Sequence, residues 1–189
     1  MEQEYYPWGG DFTACNPQGC VAVVLLTVEY TPDEFVALFG SLKTENIGVE
    51  KIVANVISNP HIRFLVVCGE DIRGHRSGSS LLALHKNGID TQHRIIDAPG
   101  AIPYIENLNK EAITRFQQQI TIVDLIGTTD KVAINETITK HHESDPLPFG
   151  EPYIAIRIAA PKQTTISDKR ALHSKIIINY MGMVKKRGT

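Results

Sequence analysis

The sequence predicts an α/β fold built on a mostly parallel sheet. Three observations carry that expectation. The runs Val21–Val28 and Ile62–Cys68 are apolar, rich in β-branched residues and continuous rather than alternating, as in strands covered on both faces. Segments with helical spacing lie between the strand patterns, as crossover connections require. The chain of 189 residues is long enough for one domain with a short appendage, with boundaries expected at residues 1–160 and 161–189.

Val21–Val28 reads as the first buried strand. Thr31-Pro32-Asp33-Glu34 has the composition of a helix start, an N-cap followed by Pro and acids, and predicts a helical turn through Phe35, Val36 and Phe39. Lys43–Asn46 is a polar loop. Val49, Ile52, Val53, Val56 and Ile57 then recur at helical spacing over Ile47–Ser58, and Asn59-Pro60 stops that helix. Ile62–Cys68 is the second buried strand. Ser77–His85 reads as a helix closed by Asn87-Gly88 in a left-handed C-cap. Arg94–Ile96 predicts a short strand, Ala98–Pro103 a rigid loop, Glu106–Gln117 a helix, Ile120–Ile126 a strand and Val132–His142 a helix. The prolines between Ser144 and Pro152 mark a linker, Tyr153–Ile158 alternates as a half-exposed strand, and Ile176–Met183 reads as an edge strand or docking segment.

Charge and composition narrow the function. Nineteen Lys and Arg against 21 Asp and Glu leave a formal charge of -2, which lacks the cation excess that nucleic-acid binding needs. A bilayer span takes about 20 apolar residues, and the longest apolar runs here are far shorter. With no basic-then-apolar leader and only Cys15, Cys20 and Cys68, a reducing, cytoplasmic setting with free thiols is expected. His85, His93, His141 and His142 read as solvated or as helix-end cations, and Tyr5, Tyr6 and Trp8 as a flap packed on the body.

In parallel sheets ligands bind at the carboxyl ends of the strands. That rule selects Lys43–Asn46, Gly69–Gly78 and Ala98–Pro103. The second is the richest: Gly69-Glu70-Asp71-Ile72-Arg73-Gly74-His75-Arg76-Ser77-Gly78 leaves a strand and places one imidazole between glycines at a helix start. Neutral His is a common metal ligand whose ring needs an orienting partner, for which Glu70 and Asp71 are candidates. A plain glycine turn with a surface histidine and an anion-binding loop are alternatives. The loop has neither glycine-rich phosphate fingerprint, and no second His or Cys lies at zinc spacing.

Lys43-Thr-Glu-Asn-Ile-Gly-Val-Glu-Lys51, Ile62–Gly69, Gly74-His75-x-x-Gly78, Asn87-Gly88-Ile-Asp90, Arg94–Ile96 and Gly100-Ala-Ile-Pro-Tyr-Ile-Glu-Asn107 occur in that order. The succession resembles the A subunit of tetrahydromethanopterin S-methyltransferase, the corrinoid-carrying member of the methanogen methyl-transfer complex, from about Trp8 to about Glu143. The resemblance implies a Rossmann-like three-layer domain that binds a cobamide, with His75 as the lower axial ligand to cobalt. It implies cofactor contacts from Gly69, Glu70, Gly74, Gly78 and Ser79, a second wall of Ala98, Pro99, Gly100, Ala101, Ile102 and Pro103, and a third of Thr44, Glu45 and Asn46. The implied function is a carrier that passes a methyl group from methyl-tetrahydromethanopterin or a related donor, through cobalt, to a thiol such as coenzyme M. Methyl-donor and methyl-acceptor subunits would be its partners, and catalytic residues beyond the cofactor are not expected.

Three positions depart from the family pattern. The family protein usually ends in a membrane-spanning helix, whereas this sequence closes on Met183-Val-Lys-Lys-Arg-Gly-Thr189, so a soluble homologue without direct membrane insertion is expected. Ser79 stands where Gln is common, and Asp97-Ala-Pro99-Gly replaces Gly-Ala-Thr-Gly. These changes keep two other readings in view: a corrinoid-free docking or regulatory module on the same fold, and a nucleotide-binding α/β protein.

Overall fold

The computed structural model describes residues 5–156, 176–178 and 184–186. The chain divides into two compact units, Met1–Ile158 and Ala159–Thr189. The first holds a five-stranded sheet of β1 (Phe12–Ala14), β2 (Val21–Leu25), β3 (Leu38–Ser41), β4 (Phe64–Gly69) and β5 (Thr121–Ile126), in the order β1-β3-β2-β4-β5. All pairs are parallel except β1 with β3. Helices α1 (Ile47–Ser58), α2 (Ser77–Asn87), α3 (Lys110–Gln119) and α4 (Lys131–His142) complete it. In the second unit β6 (Ile176–Ile178) pairs antiparallel with β7 (Val184–Lys186), Ile177 opposite Lys185. The rest of the run to Met183 lies outside the described residues.

The period of two along each strand sorts the core into two layers. Ala22, Val24, Leu65 and Val67 face α1, α2 and α3, where they meet Val53, Ile57, Leu81, Leu84 and Phe116. Val21, Val23, Val66 and Cys68 face the other way, onto Ile134 and Ile138 of α4 and Val36 of the β2–β3 connection. Two-sided burial is why these strands read as continuous apolar runs. The α/β class, the parallel sheet and the layering agree with the sequence reading.

Several elements differ from it. Residues Leu38–Ser41 form a strand, not a helical turn: Val36 and Ala37 are fully buried and β3 pairs with both β2 and β1. Tertiary pairing overrides the helix-start composition at Thr31–Glu34. The three-residue edge strand β1 carries no alternation to announce it. Arg94–Ile96 makes only isolated bridges, Ile95 with Ile89 and Arg94 with Tyr104. Helix α3 begins at Lys110, capped by Asn109 Oδ1, because the Glu106 amide is already engaged by the Glu50 carboxylate.

Tyr153–Ile156 is not a strand; Arg157 and Ile158 fall outside the described residues. The segment is part of a strap fixed by Arg63 to the Leu147 carbonyl, by Arg115 to those of Phe149 and Glu151, and by the Tyr153 amide to Ile57. The N-terminal flap is packed as expected, Trp8 exchanging two hydrogen bonds with Asn55 and Tyr6 bonding Ser58. His85, expected to be solvated, instead places Nε2 2.8 Å from the Ile120 carbonyl. Among the described residues no helix is long and apolar enough to cross a membrane.

The three thiols are free, and burial pushes Cys68 up to about 11 from its ordinary 9.0. A pKa raised by folding gives stability that is complete below the unfolded value and lost as pH climbs through the folded one. Stability is therefore expected to fall between pH 9 and 11, less steeply in Cys68→Ala, with alkylation of Cys68 at pH 8 only after denaturant is added. Urea titrations across that range and mass spectrometry of alkylated protein check both.

Candidate functional site

The sheet order decides which loops can meet. β3 and β4 flank β2, so the loops leaving their carboxyl ends, Leu42–Asn46 and Glu70–Arg76, converge over the end of β2. The chain reaches β3 from β2 on the α4 side and then crosses by α1 on the opposite side to β4. Such a reversal opens a crevice at the carboxyl edge of a parallel sheet.

His75 and Glu45 join the two loops. His75 Nδ1 lies 3.0 Å from Glu45 Oε2, with the imidazole 58% exposed and the carboxylate only 3% exposed. The other carboxylate oxygen accepts the Ile102 amide at 3.0 Å. Burial raises the Glu45 carboxyl, but the Ile102 amide, its own amide and the His75 ring outweigh that effect and hold it below the ordinary 4.5. An ionised carboxylate only accepts, so Nδ1 carries the hydrogen in this pair. Nε2 makes no hydrogen bond among the described residues, and in a neutral ring it is the nitrogen that keeps a lone pair.

Glu45 thus fills the orienting role sought for Glu70 or Asp71. The Glu70 side chain is exposed and its amide bonds Thr27 Oγ1. The Asp71 carboxylate turns to the start of α2, accepting Gly78 N at 2.9 Å, Ser79 N at 2.9 Å and Ser79 Oγ at 2.6 Å. Ser79 is therefore spent within the loop.

The glycines divide by role. Gly74 is exposed, with φ +89° and open space where a side chain would stand. Gly69, at φ +94°, turns the chain out of β4 against the Thr27 and Val28 amides. Gly78 is buried, and its missing side chain leaves room for Leu26 and Ile126.

The third loop closes over the pair. Gly100 is buried at the point where all three segments touch: a Cβ there would stand 2.7 Å from the His75 carbonyl, 2.7 Å from Ser80 Oγ and 2.8 Å from Glu45 Cγ. Ser80 Oγ is buried without a hydrogen-bond partner. Pro103 is buried, Ala98 half-buried, and Pro99, Ala101 and Ile102 are exposed, Ile102 at 59%. Thr44 and Asn46 serve the first turn of α1, through Gly48 N to Thr44 Oγ1 and Ile47 N to Asn46 Oδ1. Exposed Ile47, Ile72 and Ile96 add apolar surface to the same loops.

The sequence reading misses Glu50. It is buried and takes the amides of Glu106 and Asn107 (2.8 Å) and the Asn107 side chain (2.6 Å). It stands beside a cleft of about 160 Å³ shared by Asn46, Ile102 and Tyr104. One signal points to it: a Glu inside an otherwise apolar helix face, which burial permits only when its oxygens are bonded.

The family model for the A subunit of tetrahydromethanopterin S-methyltransferase matches residues 2–165. The chain belongs to that family. It is 46% identical over 147 residues to a Methanosarcina barkeri protein named as the A subunit of the methyltransferase Mtx, a name given there as provisional, covering 78% of this chain and 75% of that one. A Methanosarcina acetivorans protein of the same name is 42% identical over 167 residues, covering 88% and 83%. The A 1 subunit of tetrahydromethanopterin S-methyltransferase from Methanothermobacter thermautotrophicus is 46% identical over 153 residues, which are 79% of this chain and 64% of that protein. Every loop of the site lies within the span matched by the family.

Gly100→Ala tests the contact between loops. The new methyl meets main chain as well as side chain, so stability is expected to drop by about 1–3 kcal/mol, with faster amide exchange at Ile102 as the Glu45 bond loosens. Urea unfolding and exchange measured by NMR check this.

Proposed function

We propose that this member of the family is a cobamide-binding methyl carrier in a methyltransferase system, with His75 as the lower axial ligand to cobalt. The observation that carries the reading is the Glu45–His75 pair: an exposed imidazole whose Nδ1 is held by a buried carboxylate and whose Nε2 is free. Metal-binding histidines are commonly oriented through their second nitrogen in this way.

The residues fit the group. No cluster of three or more His, Cys, Asp or Glu among the described residues could hold a bare ion. A metal that arrives inside its own macrocycle needs only one protein ligand, and one is presented. The buried Ser80 hydroxyl has no hydrogen-bond partner among the described residues, and Gly100 lets the third loop come close to it, to the His75 carbonyl and to Glu45. A corrinoid supplies a cobalt that takes up and gives up a methyl group. His75 would ligate it; Gly69, Glu70, Gly74, Gly78 and Ser79 form the loop that presents the ring; Ala98–Pro103 and Thr44–Asn46 would flank the cofactor.

The protein's own part is orientation. The Ile102 N–H requires an acceptor and so fixes which Glu45 oxygen faces which neighbour. The remaining oxygen accepts from Nδ1, which selects the tautomer able to ligate through Nε2. The relatives' names support a methyl-transfer system with partner subunits. We assign methyl-tetrahydromethanopterin or a related donor and a thiol such as coenzyme M to those partners' half-reactions. The carrier reading is favoured over a corrinoid-free module because Ser79 turns to Asp71, leaving the imidazole and its partner in place.

Loading with hydroxocobalamin followed by absorption spectroscopy tests the proposal. A histidine-ligated spectrum is expected from the wild type and not from His75→Ala. Glu45→Gln makes a sharper case. Its amide oxygen must face Ile102, so its NH₂ faces Nδ1 and drives the hydrogen to Nε2. Cobamide should stay bound while histidine ligation is lost. Identical spectra from wild type and His75→Ala would overturn the assignment.

A further inference from the structure

The His75 loop contains a strained residue that the site as described leaves unexplained. Arg76 has φ 45° and ψ 47°, the left-handed region that side chains other than glycine's occupy at a cost. Such residues persist where their surroundings over-determine them. Arg76 occupies the N-cap position of α2 and makes no side-chain capping bond. Its amide bonds the Ile72 carbonyl, and its own carbonyl accepts Ser80 N, each at 2.9 Å.

The loop that holds it is closed by Asp71. The three bonds from Asp71 to Gly78 N, Ser79 N and Ser79 Oγ tie residue 71 to residues 78 and 79. The segment between them becomes a closed loop holding Gly74, His75 and Arg76. Gly74 takes its positive φ freely; Arg76 does not. A residue adjacent to Arg76 can keep its ring on Glu45 only while that turn is kept.

We infer that Asp71 is a positioning residue for His75: by stapling the loop to the start of α2 it sustains the left-handed turn at Arg76, and that turn delivers the imidazole to Glu45. Ser79, shorter than the family's common Gln, supplies the third bond of the staple. The inference rests on the reading of His75 as a cobalt ligand, but part of its test does not.

The test is a cycle of wild type, Asp71→Ala, Arg76→Gly and the double variant. Glycine takes the left-handed turn unaided, so Arg76→Gly alone should leave the histidine-ligated spectrum of hydroxocobalamin-loaded protein unchanged. Asp71→Ala should retain cobamide yet lower the ratio of ligated to unligated cofactor by about tenfold, as loss of charge-assisted hydrogen bonds implies. The double variant should return most of it. If Asp71 merely caps α2, the double variant will be as impaired as Asp71→Ala, and the inference falls.

The same cycle is read without cofactor by ¹⁵N NMR of the His75 ring. The Nδ1–H signal paired with Glu45 should disappear in Asp71→Ala and reappear in the double variant; its persistence in Asp71→Ala would overturn the inference. A wild type that shows this signal but no histidine-ligated spectrum would defeat the cobalt assignment alone. Should Asp71→Ala fail to fold, Asp71→Asn, which keeps one acceptor oxygen, takes its place in the cycle.

Discussion

A carboxylate taken out of water must have its oxygens satisfied, and Glu45 meets that demand by drawing two distant segments to itself. One oxygen takes a main-chain amide from the third loop, the other an imidazole from the second. Neither bond is local: the partners lie 57 and 30 residues away in sequence. The cost of burying an unpaired charge is large, so the two bonds make the positions of all three segments mutually dependent. Glu50, one turn and a half further along, repeats the device on Glu106 and Asn107. Two buried acids thus pin the loop before α3 at both ends, and the crevice owes its shape to them.

The sheet makes this meeting possible. Because β2 lies between β3 and β4, loops that follow non-adjacent strands emerge on either side of one strand end. The β2–β3 connection packs with α4 while α1 crosses on the other face, so the connections on either side of β2 leave the sheet in opposite directions. Fold and site are in this sense one constraint. A different strand order would keep the same core composition and separate Glu45 from His75.

Sequence patterns make some of this legible and hide the rest for physical reasons. Two-sided burial writes itself as continuous Val/Ile/Leu runs, so β2, β4 and the parallel class are readable. Local stop signals locate where α1 and α2 end, Asn59-Pro60 after the one and Gly88 after the other, although Gly88, at φ 72° and ψ −150°, does not take the left-handed helical conformation expected of it. The glycine-flanked His75 stands out because backbone freedom and an imidazole at a strand end are both local properties. What cannot be read is pairing across distance. Nothing around Glu45 or Glu50 says that each takes a main-chain amide more than fifty residues on, and nothing in Val36–Phe39 distinguishes a strand paired on both sides from a helical turn. Gly78 shows the same limit from the other side: the glycine is obvious, but only packing reveals that Leu26 and Ile126 claim the space its side chain would need.

Asp97 and Ser79, two positions that the sequence singles out, become intelligible in these terms. Asp97 has a φ of 59°. A left-handed residue is natural for glycine and next most accessible to Asn and Asp, whose short polar side chains bond locally; here Asn87 Nδ2 approaches Asp97 Oδ2 at 3.5 Å and bonds the Ile96 carbonyl at 3.1 Å. Aspartate therefore suits the backbone that leads into the Ala98–Pro103 loop. The Ser79 hydroxyl reaches Asp71 at 2.6 Å. Both side chains spend their polar atoms within their own loops. Ser79 is taken by Asp71, and the Glu45–His75 pair stands beside it with its own bond intact.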